Sequence, residues 1–147
     1  MNILSKSLDD TANLASNLVT KIGQAKKDDR RALVICLYGD LGSGKTTFVQ
    51  FLAKALEIKE IITSPTFVIQ KNCQIPKSFP YKKLVHIDCY RINDPAEMTV
   101  LRWDETLADP HNLIVIEWPE RIKSLLPKNC MDIKFKFVDE TTREIDI

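Results

Sequence analysis

Residues 39–47 read Gly39-Asp40-Leu41-Gly42-Ser43-Gly44-Lys45-Thr46-Thr47 and follow directly on the apolar run Ala32-Leu33-Val34-Ile35-Cys36-Leu37-Tyr38. The stretch matches GxxxxGK[ST], and its flanks are those the pattern requires: a buried strand before it, and after it a helix whose apolar face carries Phe48, Phe51, Leu52, Ala55 and Leu56. A loop of this kind wraps its backbone N–H groups around phosphate oxygens, and glycine lets the backbone approach them closely. Lys45 then reaches the terminal phosphates, and the Thr46 hydroxyl is placed to hold Mg²⁺. The start of the helix adds its partial positive charge. The stretch predicts a nucleotide site, against the simpler reading of a glycine-rich turn that only joins strand to helix.

Upstream, Ser7 with Asp10 three residues on marks a helix start, and Leu8, Ala12, Ala15, Val19 and Ile22 recur at helical spacing before Gly23. The charge-rich residues 24–31 read as a solvated link. Downstream, Ile61-Ile62-Thr63-Ser64-Pro65-Thr66 interrupts any regular central strand, with a strand resuming at Thr66 and an exposed loop from Cys73 to Pro80. Two short apolar strands follow, each ending in an acid: Leu84-Val85-His86-Ile87-Asp88 and Leu113-Ile114-Val115-Ile116-Glu117. Between them Asp94-Pro95 starts a helical region reaching about Leu107, with Met98 and Leu101 turned inward. Trp118-Pro119 breaks the second strand, and Leu125, Leu126 and Pro127 close a short helix. The alternating Met131 to Phe137 pairs with Arg143 to Ile147 in a terminal antiparallel hairpin. The expected fold is α/β: a single P-loop NTPase domain over residues 1–147, with a mixed, mainly parallel sheet flanked by helices.

A chain of 147 residues, 44% of them hydrophobic, is long enough for one domain with one core and too short for two ordinary domains. With a formal charge of +1 and interspersed signs, no global basic surface argues for holding nucleic acid unaided. Cys36, Cys73, Cys89 and Cys130 lack CxxC spacing and read as small hydrophobes in a reducing compartment. The opening MNILSKSLDD has neither an apolar signal core nor an arginine-rich transit pattern, and no run is long enough to span a bilayer; a soluble cytoplasmic protein that avoids the membrane is expected.

Magnesium-nucleotide chemistry also needs carboxylates at the carboxyl ends of neighbouring strands, where open α/β sheets place ligands. Glu117 and Asp88 fit. Glu117 is favoured as the acid at the metal and Asp88 as a second acid that binds a metal water or orients the hydrolytic one. Spacing alone leaves their division of roles open, as it leaves open that each only caps a strand. Thr66 could contact Mg²⁺ or a γ-phosphate in the triphosphate state alone, making 63–67 a switch, or be part of a simple turn. Tyr90, Arg91 and Trp118 follow the two acids and should project near the same rim; Arg91 reads as a transition-state or partner-binding cation or as a plain surface arginine, and Trp118 and Trp103 read as packing residues. His86 and His111 lack mutual ligand spacing and are assigned neither a metal nor a catalytic role.

The succession GDLGSGKTTF, SPTFVI, HIDCYRI, DPAEM and IVIEWPERI, in this order and over nearly the whole chain, resembles the TsaE (YjeE) family. The resemblance implies a small P-loop ATPase of bacterial tRNA threonylcarbamoyladenosine (t6A) synthesis that binds and hydrolyses ATP with Mg²⁺ and works with TsaD and TsaB, meeting tRNA through that complex. Carried onto this chain, it places Gly42 to Thr47 at the nucleotide, Thr46 and Glu117 at Mg²⁺, Thr66 in a switch-like loop and Asp88 as the acid for hydrolysis. It also brings Thr11 of the first helix and Arg143 of the last strand near the nucleotide. The chain departs from the family where a Leu-Gly-Leu-Glu-Glu-Tyr-like run is replaced by Leu101-Arg102-Trp103-Asp104-Glu105-Thr106, which bears on that loop's conformation and on a partner contact and not on the ATP site. The competing readings are a small-molecule or nucleoside kinase, against which no arginine-rich lid insertion is visible, and a nucleotide-binding interaction protein with negligible turnover.

Overall fold

The computed structural model describes residues 1–63 and 69–147. The strand resumption expected at Thr66 lies outside the described residues. Seven strands form one sheet: β1 (Asn2–Ser5), β2 (Leu33–Tyr38), β3 (Gln70–Gln74), β4 (Lys83–Asp88), β5 (Asn112–Glu117), β6 (Met131–Phe137) and β7 (Arg143–Asp146), in the order β1-β7-β6-β2-β5-β4-β3. The pairs β6–β2, β2–β5 and β5–β4 are parallel, whereas β4–β3, β6–β7 and β7–β1 are antiparallel. The sheet is thus mixed, parallel in its middle and antiparallel at both edges, with the expected terminal hairpin at one side.

Alternation along the central strands packs an apolar layer on each face of the sheet. Ile35, Leu37, Leu84, Leu113 and Val115 face helices α1 (Leu8–Gln24) and α2 (Lys45–Ala55). Val34, Cys36, Val85, Ile87, Ile114 and Ile116 face the opposite layer, made of two 3₁₀ helices (Pro95–Thr99 and Pro119–Leu125) and α3 (Trp103–Ala108). Every residue of β5 is buried, as a central parallel strand covered on both faces requires. The two apolar faces explain why this strand reads as a continuous hydrophobic run rather than as an alternation.

Ser7 caps α1 by accepting from the Asp10 N–H at 3.1 Å, while the Asp10 carboxylate accepts from the Lys6 N–H at 2.9 Å. The buried stripe is Thr11, Ala15, Leu18, Val19 and Ile22; Leu8, expected to lead it, is 66% exposed because it lies in the first turn, beyond the edge of the core. Two strands escape the sequence reading. β1 is a short edge strand with a mixed burial pattern, held by β7 and by the N-terminal ammonium, which donates to the carbonyl of Ile147. β3 carries Cys73 and Gln74, expected to open an exposed loop; its polar composition reflects an edge position, with Cys73 as its one buried residue.

Asp94 closes a capping box with Glu97, as the Asp-Pro signal predicts, and Met98 is fully buried. Arg102, standing where the TsaE pattern has glycine, adopts the left-handed region at φ 54°, ψ 47°. The turn therefore keeps a glycine-like conformation without glycine, at a cost of about 1–2 kcal/mol. Replacing Arg102 by glycine is expected to leave the melting temperature unchanged or slightly raised, since relief of that strain offsets glycine's extra unfolded-state entropy of roughly 0.5–1 kcal/mol. Arg102→Val should instead lower stability by about 1 kcal/mol, because a β-branched residue resists positive φ. Thermal melts of the two variants decide this; equal melting temperatures would contradict it.

Candidate functional site

Strand register sets the frame. Asp88 of β4 is level with Glu117 of β5, and Glu117 is level with Leu37 of β2, so both acids stand at the carboxyl edge of the sheet where β2 runs into residues 39–44. Parallel pairing makes this automatic: strands of one direction end at one edge, and residues in register there share a face. The cleft at this edge measures about 520 Å³ and brings Lys45, Thr46, Asp88, Glu117, Trp118 and Arg143 together.

The loop's conformation depends on two glycines in particular. Gly39 has φ 143°, and a Cβ there would come within 2.5 Å of the Phe135 carbonyl and 2.7 Å of the Ser43 hydroxyl. Gly44, at φ 101°, is the N-cap of α2 and supplies no capping side chain. The first-turn N–H groups of α2 thus open on the cleft, an arrangement suited to anionic oxygens. Gly39→Ala combines backbone strain with a backbone clash and is expected to cost about 3 kcal/mol, seen as a fall in melting temperature of roughly 6–12 °C. A Gly39→Ala variant that melted with the parent would refute the tight packing of the loop against β6.

Lys45 is almost fully buried. Its ammonium donates to the carbonyls of Gly39 and Asp40, the latter at 2.9 Å, and to the Ser43 hydroxyl at 3.4 Å. Burial pushes the Lys45 ammonium below the ordinary lysine range, with Glu117, Glu120, Asp88 and Asp40 pulling the other way. The Trp118 ring covers it, with Nζ 4.4 Å from the ring centroid, and Tyr90 leans on the same ring at 5.0 Å between centroids. Trp118 reaches this place because it leaves β5 in the left-handed region at φ 59°. Its role beside Lys45 was not predicted; the only sequence signal was its position after the strand-ending acid.

The Thr46 hydroxyl lies 3.0 Å from both carboxylate oxygens of Glu117, which is 2% exposed. Asp88 accepts from the Tyr90 N–H at 2.9 Å and lines the cleft less deeply. Glu117 Oε1 also meets His86 Nε2 at 2.8 Å, a contact that histidine spacing could not reveal because it joins two strands across 31 residues. Hydroxyl and carboxylate oxygens in contact form a hard-oxygen pair suited to Mg²⁺, which takes few protein ligands and fills its octahedron with water and phosphate. Among the described residues no group of three or more His, Cys, Asp or Glu side chains could itself enclose a metal.

Arg143 lies beside the loop: its guanidinium donates to the carbonyls of Asp139 and Thr142 and to that of Gly42 at 3.5 Å. It borders a second cleft of about 470 Å³, whose lining includes Thr11, Ser43, Gly44 and Thr47. Thr11 is buried there, 2.7 Å from the Ser5 hydroxyl. The structure therefore brings residues 41–47, Asp88, Glu117 and Arg143 to one cleft and Thr11 to its neighbour, with Arg143, Ser43, Gly44 and Thr47 common to both; Gly39 and Asp40, expected at the nucleotide, are not in the lining and meet it only through their carbonyls on Lys45. Tyr90, Arg91 and Trp118 share the rim as expected. Thr66 and, apart from Thr63, the expected switch over residues 63–67 lie outside the described residues.

The cysteines are free; burial raises the Cys89 thiol to about 12 and the Cys73 thiol to about 11. No helix among the described residues is long and apolar enough to cross a membrane.

A family model described as threonylcarbamoyl adenosine biosynthesis protein TsaE matches residues 5–145. The chain is 35% identical over 147 residues to the tRNA threonylcarbamoyladenosine biosynthesis protein TsaE of Aquifex aeolicus, covering 99% of this chain and 93% of that protein. It is 40% identical over 111 residues to the protein of the same description from Rickettsia typhi, covering 75% and 73% respectively. Among solved structures, YdiB of Bacillus subtilis superposes with a TM-score of 0.70 at 27% identity, over 99% of this chain and 82% of that one.

Proposed function

The chain belongs to the TsaE family of threonylcarbamoyl adenosine biosynthesis proteins, and from that premise we propose that it is the Mg²⁺-dependent ATP-binding and ATP-hydrolysing component of the tRNA t6A37 machinery. It acts with TsaD and TsaB through a nucleotide-dependent switch, in the cytoplasm, and meets tRNA only through that complex. The observation that carries the ATPase reading is the contact of Thr46 with Glu117 at the mouth of an uncapped, glycine-turned helix start.

In this reading residues 39–47 cradle the phosphates, and Lys45 exchanges its loop carbonyls for terminal phosphate oxygens. Thr46 Oγ1 and Glu117 would hold Mg²⁺, which when bound would supply neutralisation of phosphate charge. Asp88, level with Glu117 but nearer the surface, orients the attacking water. Trp118 keeps water from one side of Lys45 and strengthens the field the phosphates meet. The second cleft, bounded by Thr11 and Arg143 and continuous with the loop through Ser43, Gly44 and Thr47, receives the nucleoside end. Thr66 senses the γ-phosphate.

The test is phosphate release from ATP by the protein alone and with TsaD and TsaB, beside a panel of small phosphoryl acceptors, together with capture of the two partners in ATP and in ADP. Partner-stimulated release and nucleotide-dependent capture are expected. Stoichiometric transfer to a small acceptor would replace the reading by a kinase, and tight ATP binding without release under any condition would leave a nucleotide-dependent interaction protein.

A further inference from the structure

His86 is fully buried and is absent from the lining of the cleft. It is level with Val115 on β4, two residues inward of Asp88, and the period of two places it on the face of the sheet that carries Glu117. Its Nε2 lies 2.8 Å from Glu117 Oε1, the oxygen that Thr46 also touches. Its Nδ1 is buried without a hydrogen-bond partner among the described residues. A proton on Nδ1 would be a buried donor with no acceptor, whereas a proton on Nε2 satisfies both ring and carboxylate. The hydrogen bond therefore runs from Nε2–H to Oε1.

We propose that His86 is a positioning residue for Glu117. It pins Oε1 from the interior of the sheet, so that the carboxylate, with both oxygens 3.0 Å from Thr46 Oγ1, keeps one orientation toward the cleft. A glutamate has three side-chain torsions, and a lone hydroxyl bifurcated between its two oxygens does not choose between rotations of the carboxylate. A donor fixed on a central strand does. This inference rests on the reading of Glu117 as the acid at Mg²⁺, and it assigns to the histidine of the HIDCYRI stretch a function distinct from that of the aspartate two residues on.

The test measures ATP affinity by calorimetry with and without Mg²⁺ in the parent, His86→Leu, His86→Gln and Glu117→Gln. Loss of an outer hydrogen bond to a metal-holding group lowers metal affinity by about tenfold or more. His86→Leu should therefore weaken the Mg²⁺-dependent gain in ATP affinity about tenfold while leaving metal-free affinity within about twofold of the parent. His86→Gln, whose amide can donate from a similar distance, should recover most of it. A His86→Leu gain equal to the parent's, or a failure of glutamine to restore more than leucine does, overturns the proposal. Glu117→Gln separates the two levels: if it keeps the full Mg²⁺ gain, the assignment of Glu117 to the metal fails and the positioning role falls with it; if it loses the gain while His86→Leu keeps it, only the positioning role fails. Should the leucine variant not fold, ¹⁵N spectra of the parent imidazoles decide: an Nε2–H tautomer for His86 that shifts on Glu117→Gln supports the bond, and an Nδ1–H tautomer excludes it.

Discussion

Lys45→Ala is expected to lower ATP affinity about a hundredfold while leaving the fold intact. The ammonium is held over the loop by two carbonyls and the Ser43 hydroxyl and is covered by Trp118, so it is already partly desolvated before any phosphate arrives. Its exchange of neutral carbonyls for phosphate oxygens replaces ordinary hydrogen bonds by charge-assisted ones, worth about 1.5–3 kcal/mol in total, or roughly 10- to 150-fold in affinity. Burial opposes the charged form in the free protein, so deleting the ammonium removes a strained group as well as its bonds. The thermal midpoint should therefore move little. Lys45→Arg should not restore binding, because a planar guanidinium does not fit beneath the indole where a compact ammonium does. Calorimetric titration of ATP into parent and variants checks this, and an alanine variant within threefold of the parent would remove Lys45 from the phosphate site.

Asp88→Asn is expected to abolish most hydrolysis, by about a hundredfold or more, with ATP affinity within a few-fold of the parent. Asparagine keeps the shape and the oxygen that accepts from the Tyr90 N–H, so the turn after β4 should hold. What is lost is the negative charge that orients a water and takes its proton. Single-turnover phosphate release with TsaD and TsaB present separates chemistry from binding. A variant hydrolysing at the parent rate would show that Asp88 only ends its strand, and a variant that no longer bound ATP would assign it to the nucleotide or metal instead.

Much of the site was legible because it is local. The phosphate loop consists of consecutive residues whose types answer to one backbone path, and Gly39 and Gly44 show why: one is blocked by the Phe135 carbonyl, the other starts a helix with positive φ. The strand-ending acids were legible for a different reason. Glu117 and Asp88 each close an apolar run, and parallel strands bring such ends to one edge whatever their order, so their meeting followed from pattern and topology together. Arg143 and Thr11 came only through the family resemblance. Nothing about a threonine in a first helix or an arginine in a last strand points at a loop so distant from both in the chain, yet the loop between them is where both clefts meet.

The amino-acid sequence by itself determined the phosphate loop, the two buried layers around the central strands, the capped helix starts and the terminal hairpin, because each is written in short-range periodicity and in residue types that tolerate one backbone and not another. Only the tertiary structure decided that β1 and β3 close the sheet's edges, that Arg102 holds a glycine's conformation, that Trp118 covers Lys45, and that His86 reaches Glu117. Edge strands with polar side chains carry weak patterns, and contacts between side chains on different strands depend on register and on backbone turns such as the left-handed one at Trp118. Register is a property of the assembled sheet, so those contacts exist only once the strands have paired.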